Sequence, residues 1–229
     1  MITGLVFVKK RLVTDELEDD SKIDIDDVNM VDIPYLPANV TLHDGLEITV
    51  RSMRRDEIRI FYDALKAAAR SGAGYGYDEL PSFAYFARWY VDGYCNVVYE
   101  TKTSSSNQLP QIVAFASFGP STYSRDAKSV LADANLVLAP ELRGKRLASE
   151  IITINGGLSR DMGLGAIYGE MAATNVASLR AGLARGSIVT GSIPKGIFFK
   201  DKGWVDLIMF YSPPGTILSF KEQTLNAKL

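Results

Sequence analysis

The sequence predicts an α+β domain, with a mixed, mostly antiparallel central sheet and helices flanking it. Three observations carry this. Apolar–polar alternation and short apolar runs recur from Leu46 to Tyr211 and read as strands. The first of these strands is followed by two stretches with apolar residues at helical spacing. Farther on, a long helical stretch separates an apolar strand ending at Leu138 from another opening at Ala166. A helix crossing between neighbouring strands makes that pair parallel, whereas strands joined by short polar turns are antiparallel.

At the N-terminus, residues 2–8 suit a short strand. Residues 16–32 are strongly acidic, with Glu16, Glu18, Asp19, Asp20, Asp24, Asp26, Asp27 and Asp32 against Lys22. Such a run is ordinarily solvated or disordered, the alternative being a partner-binding or autoinhibitory arm. Pro34 and Pro37 punctuate the passage that follows, so residues 1–45 are expected to form an extension and residues 46–229 the domain. Leu46-Glu-Ile-Thr-Val-Arg51 alternates and reads as a strand. Ile58, Phe61, Tyr62, Leu65 and Ala69 then mark a helix over about 55–70. Ser71-Gly-Ala-Gly-Tyr-Gly-Tyr77 follows that helix and lacks the Gly-Lys-Ser/Thr ending of a P-loop. It is either a plain interhelical connection or a binding loop. Pro81 starts a second helix whose Phe83, Phe86, Ala87 and Tyr90 read as core.

Residues 94–100 and 111–119 are strands joined by a polar turn, and 129–138 is the next. Leu147, Ile151, Ile154 and Leu158 mark the buried face of a helix drawn from Arg143 to about Met162, ended by Gly163 and Gly165. A strand over 166–172 leads to Asn175, a suitable cap for a helix to about Arg185. Strands at 187–190 and 204–211 close the domain around a hairpin turn at 199–204.

Composition excludes several classes. The net charge of −2 gives no support for bulk nucleic-acid binding. Cys95 and His43 are the only residues of their kinds, so there is no intrachain disulfide and no cysteine metal cluster. A Ser-His-Asp or Cys-His mechanism would need His43, which sits in a turn-like Leu-His-Asp-Gly stretch. No run approaches the ~18 apolar residues of a membrane helix, and the N-terminus lacks a signal-peptide profile. The expectation is a cytoplasmic protein, monomer or homodimer, with no nucleic acid, membrane or metal.

The stretch with the most chemistry is Asn135-Leu-Val-Leu-Ala-Pro-Glu-Leu-Arg-Gly-Lys-Arg-Leu-Ala-Ser149. A strand runs through Leu136, Val137 and Leu138, then turns into a helix through Arg143, Gly144, Lys145, Arg146, Leu147, Ala148 and Ser149. A helix N-terminus offers unpaired N–H groups and a positive dipole end, which favour phosphate. Cations are unfavourable there, so three in four residues favour an anion site over an ordinary solvated first turn.

That stretch resembles the coenzyme A pyrophosphate loop of the GCN5-related N-acetyltransferases, whose pattern is Arg or Gln, two residues, Gly, one residue, Gly or Ala. Arg143 and Ala148 match its ends, while Arg146 stands at the central Gly and either crowds the pyrophosphate or adds a charge to it. Thr174-Asn175-Val-Ala-Ser178 after the next strand resembles the family's second motif, where Asn175 and Ser178 would face pantetheine and thiol. The resemblance spans about Ile48 to Tyr211. It implies a three-layer α/β/α fold, acetyl-CoA as co-substrate, and the strand 135–138 along the acetyl and pantetheine groups.

Acetyl transfer from a thioester needs a neutral amine, a donor to the oxyanion and a proton for the departing thiolate. Asp133 and Glu170 are the candidate bases, or alternatively bind a cationic acceptor. The family's proton-donating Tyr falls at Gly182, leaving Tyr168, Tyr123, Tyr211 or water. Tyr75 and Tyr77 are candidates to line the acceptor pocket. The implied function is N-acetylation of a primary or secondary amine on a small molecule or amino-acid-like acceptor. The alternatives are a non-catalytic acyl-CoA-binding or interaction domain and a protein-lysine acetyltransferase.

Overall fold

In a computed structural model, residues 23–70, 82–102, 109–121, 131–144, 147–216 and 218–226 are described. They place nine strands in one sheet: β1 (Met30–Val31), β2 (Ala38–Thr41), β3 (Glu47–Ser52), β4 (Tyr94–Thr101), β5 (Ile112–Pro120), β6 (Leu131–Leu138), β7 (Ala166–Ala172), β8 (Ile188–Phe199) and β9 (Gly203–Ser212). The spatial order is β2-β3-β4-β5-β6-β7-β9-β8, with β1 on β4. All pairs are antiparallel except β1–β4 and β6–β7. The helices are α1 (Ile58–Arg70), α2 (Phe83–Phe86), α3 (Leu147–Asp161), α4 (Val176–Leu183) and α5 (Phe220–Asn226).

Side-chain alternation along the strands supplies two cores. On one face Phe61, Tyr62 and Leu65 of α1 and Phe86 of α2 pack on Phe115 and Val137. Phe61 meets Phe86 edge-on and stacks on Phe115, both at 5.2 Å between centroids. On the other face Leu147, Ile151, Ile154 and Leu158 of α3 pack on Val97, Tyr99, Ala116 and Phe118. These four are the apolar stripe that the sequence marks, and the predicted α+β class with a mixed, mostly antiparallel sheet holds.

The structure corrects several details. Acidic residues 23–32 are folded onto the domain: Arg55 Nη1 donates to the carbonyls of Ile25 and Val28 at 2.7 and 2.8 Å, and Val28 is buried. The described part of the first 45 residues also supplies β1 and β2 to the sheet. The long helix begins at Leu147, not Arg143, because Gly144 has a φ of +79° and turns the chain off the helical path. It ends as expected at Gly163 (φ +86°), where the N–H of Leu164 reaches the carbonyl of Ser159 at 2.9 Å. Strand β8 runs on to Phe199, past Gly191 and Pro194. A register shift between Ile193 and Ile197 absorbs the proline on this edge strand. Helix α5 has no counterpart in the sequence reading. It seats against α3 at Gly157, where a Cβ would lie 2.8 Å from the Phe220 backbone nitrogen.

An ionic knot ties β3, the turn leading into α1 and β4 together. Glu57 is buried and takes two hydrogen bonds from Arg51, at 2.6 and 2.8 Å, and one from the Arg54 backbone N–H at 2.8 Å. Arg51 also reaches Glu100 at 2.9 Å. Burial alone raises the Glu57 carboxyl, but these hydrogen bonds outweigh it and hold the group below its ordinary value. A depressed carboxyl contributes stability that is present above its unfolded value, near pH 4.3, and is lost as pH falls through the folded one. Glu57→Gln is therefore expected to cost about 3 kcal/mol in urea unfolding at pH 7, toward the low end for breaking a buried pair because Glu100 still faces Arg51. The same variant should flatten the loss of stability below about pH 4.3.

Candidate active site

The two parallel strands part company. Strand β5 pairs β6 from Pro120–Ala132 to Ala114–Leu138, and β9 pairs β7 from Ile167–Ser212 to Ala172–Leu207. Between themselves, β6 and β7 pair only at Leu131–Ala166, Ala132–Ile167 and Asp133–Tyr168. Beyond that vertex lies a wedge with residues 134–138 on one side and 169–172 on the other. Past Asp133–Tyr168 the two strands form no further ladder pair with each other. Leu136 and Leu138 pack toward α3 and Val137 toward α1, so these residues offer the wedge their backbone.

At the open end of β6 the chain makes a tight turn. The Ala139 N–H donates to Val113 at 2.9 Å, the Leu142 N–H to Ala139 at 3.0 Å, and the Arg143 N–H to Pro140 at 3.2 Å. Arg143 is exposed, with its Nε 3.4 Å from the Leu138 carbonyl. Then α3 opens, burying Leu147 and leaving Ala148 and Ser149 half-buried in its first turn. Lys145 and Arg146 lie outside the described residues, as do Tyr75, Tyr77 and Tyr123. Glu150 turns away toward the β2–β3 connection, where it accepts the His43 N–H at 2.8 Å and meets the imidazole Nδ1. Arg185, just past α4, donates from Nε to Ser149 Oγ at 2.8 Å. No local pattern links these two residues, which are 36 positions apart.

Both candidate carboxylates belong to the wedge. Asp133 is half-buried at the vertex, opposite Tyr168. Glu170, two residues on and exposed, accepts the Tyr168 hydroxyl at 2.9 Å. By alternation, Asp133, Tyr168 and Glu170 lie on the sheet face covered by α1 and α2. Gly119 neighbours Asp133 on β5, and the Tyr94 ring occupies the room above it, 2.9 Å from where a Cβ would be. Asn175 stands at the wedge's far side, and its Oδ1 caps α4 by accepting the Ser178 N–H at 3.1 Å. Gly182 is buried in the helix. Of the substitute tyrosines among the described residues, Tyr168 hydrogen-bonds a candidate base, Glu170. Among the described residues no group of three or more His, Cys, Asp or Glu could hold a metal ion, and no helix is long and apolar enough to cross a membrane.

A sheet parted between its two parallel strands above a strand–turn–helix defines a class: the chain has the fold of the GCN5-related N-acetyltransferases. It superimposes on an acetyltransferase of that name from Kribbella flavida with a TM-score of 0.60 at 17% identity, over 72% of this chain and 97% of that one. A phosphinothricin acetyltransferase from Sinorhizobium meliloti, solved with acetyl-CoA, gives 0.61 at 18% identity over 74% and 90%. A spermidine N-acetyltransferase from Vibrio cholerae, solved with CoA and spermine, gives 0.59 at 16% identity over 74% and 96%. No protein-family model matches the sequence, and no curated protein matches it.

The vertex makes a titration prediction. Burial first, and then the charge of Asp133, push the Tyr94 phenol up to about 12. Asp133→Asn removes only the second cause. Carbon NMR of labelled tyrosine should show the Tyr94 titration moving down while staying above the ordinary value near 10. An unmoved titration would mean that Asp133 points away from Tyr94.

Proposed function

We propose that this chain is an acetyl-CoA-dependent N-acetyltransferase for a primary or secondary amine on a small or amino-acid-like acceptor. The observation that carries the reading is the wedge between β6 and β7, opening directly above the turn into α3. The residues suit coenzyme A. Pantetheine is an extended chain with amides, which the facing edges of 134–138 and 169–172, where β6 and β7 do not pair with each other, would hydrogen-bond as they would a strand. The first turn of α3 offers N–H groups to a diphosphate, with Ala148 small and Arg143 exposed beside it. Bound acetyl-CoA supplies an activated acyl group at the wedge. A strand N–H on its edge would polarise the thioester carbonyl.

The chain's own part is to deprotonate and orient the amine. Asp133 sits at the vertex on the α1–α2 face and is the proposed proton acceptor. Glu170, with the Tyr168 hydroxyl on its Oε1, is the competitor, and Tyr168 is the proposed donor of a proton to the thiolate. The acceptor would enter from that face. A second reading, a non-catalytic acyl-CoA-binding domain, draws on buried Gly182, which puts no phenol where the family resemblance has one.

Acetyl-CoA at ~100 times its dissociation constant should stabilise the protein by about 2.7 kcal/mol, with NAD and ATP doing much less. No shift with acetyl-CoA would remove the proposal. Binding without thiol release across a panel of amines would favour the non-catalytic reading. With a productive amine, Asp133→Asn should lower the maximal rate by ~10²-fold, with partial rescue at high pH and acetyl-CoA affinity retained. The same loss in Glu170→Gln alone would move the base to β7, and a raised acceptor Michaelis constant in both would make them binding groups.

A further inference from the structure

We propose that the acceptor is a monoamine with an uncharged, apolar substituent, which lies along the α1–α2 face of β7, β9 and β8. The inference rests on the acetyltransferase reading above and names the class of amine that the site takes. One row of side chains crosses the sheet from the proposed base. Asp133 pairs with Tyr168, Tyr168 with Tyr211, and Tyr211 with Ile188. Residues directly opposite one another point to the same side of a sheet. The row therefore forms a floor three strand spacings long, about 14 Å. In the next row Met209 lies between Glu170 and Gly191. Gly191 has no side chain, and the Met209 methyl occupies that room, 2.9 Å from where a Cβ would be. Beyond it Leu207 pairs with Ala172 and belongs to the apolar cluster of Ile197 and Phe199.

Two features fit this floor to an apolar substituent. The helices leave it open: among the described residues, the core under α1 and α2 includes none from β7, β8 or β9, and Ile188 is 51% exposed. Continuous apolar surface beside a few placed polar groups is what a small-molecule site presents. The charge of the floor is also one-sided. Asp133 and Glu170 stand at the wedge end, and β7 and β9 contain no lysine or arginine. The far strand, β8, contains no acid, and its single cation, Lys195, follows the uncharged stretch from Ile188 to Pro194. The carboxylates suit the amine end of an acceptor. At the other end a second ammonium would find no carboxylate on β8, and a carboxylate would find no cation beside Ile188. Methylene groups, in contrast, gain by leaving water for Tyr211 and Ile188. The reaction itself is unchanged. The C–N bond forms, the C–S bond breaks, and the proton that leaves the neutral amine balances the one that sulfur gains.

The test measures kcat/KM for thiol release at saturating acetyl-CoA with n-alkylamines from ethylamine to hexylamine. Hexamethylenediamine and ε-aminocaproate, of the same chain length, carry a cation and an anion at the tail. Each methylene that reaches the floor should raise kcat/KM by up to about fourfold. Hexylamine should exceed both charged-tail amines by about tenfold or more. Ile188→Glu should narrow the hexylamine-to-ethylamine ratio and raise hexamethylenediamine relative to hexylamine, whereas Ile188→Val should keep the wild-type order. Each ratio is read within one variant, so a change in folded fraction cancels. A kcat/KM independent of chain length, a wild-type preference for either charged tail, or unmoved ratios in Ile188→Glu would overturn this assignment alone. So would thiol release with other amines but with none of the alkylamines. No thiol release with any amine would overturn the acetyltransferase reading and this assignment with it.

Discussion

Strands β6 and β7 each have a nearly full-length partner, β5 and β9 respectively, and only three residue pairs with one another. Everything proposed for this protein depends on that imbalance. A strand held along one edge stays straight and in register without its other neighbour. Two such strands can diverge inside a continuous sheet at little cost, provided that their inner edges meet water or a ligand. The insertion of β9 between β7 and β8 makes this possible, since β8 alone would follow in chain order and leave β7 differently supported.

Packing on either side keeps the vertex fixed. The Tyr94 ring lies over Gly119, in the row that ends at Asp133. The Phe210 ring similarly fills the room over Gly169, locking β9 to β7 just past the last β6–β7 pair. Below the wedge, Leu147 is buried at the first position of α3, so the helix start is anchored by its core-facing side chain. Glu150 and Ser149 then bind opposite neighbours, the β2–β3 turn and Arg185. These two contacts tie the start of α3 to the β2–β3 turn and to the end of α4.

Periodicity carried much of this into the sequence. The α3 stripe Leu147, Ile151, Ile154 and Leu158 is buried as a 3.6-residue period requires, and the antiparallel β4–β5 and parallel β6–β7 pairings followed from turn and crossover lengths. Sequence reasoning failed where a long-range contact overrides a local rule. Residues 23–32 look like a solvated acidic run, but one side chain, Arg55, collects their carbonyls. Gly191 and Pro194 are strand breakers, but β8 lies on an edge and takes a bulge. Asp133 and Glu170 could be named as isolated acids on strands. That they share a face with Tyr168 between them follows only from the register of β6 on β7. Arg185 was invisible for the same reason: nothing local links it to Ser149.

The most direct test of the central claim is a crystal structure of the acetyl-CoA complex. The account predicts pantetheine lying between residues 134–138 and 169–172, with its amides on the strand edges, the thioester near the Asp133 vertex and the diphosphate on the first turn of α3. A complex in which β6 and β7 zip together past Asp133–Tyr168, with the coenzyme bound elsewhere, would contradict it.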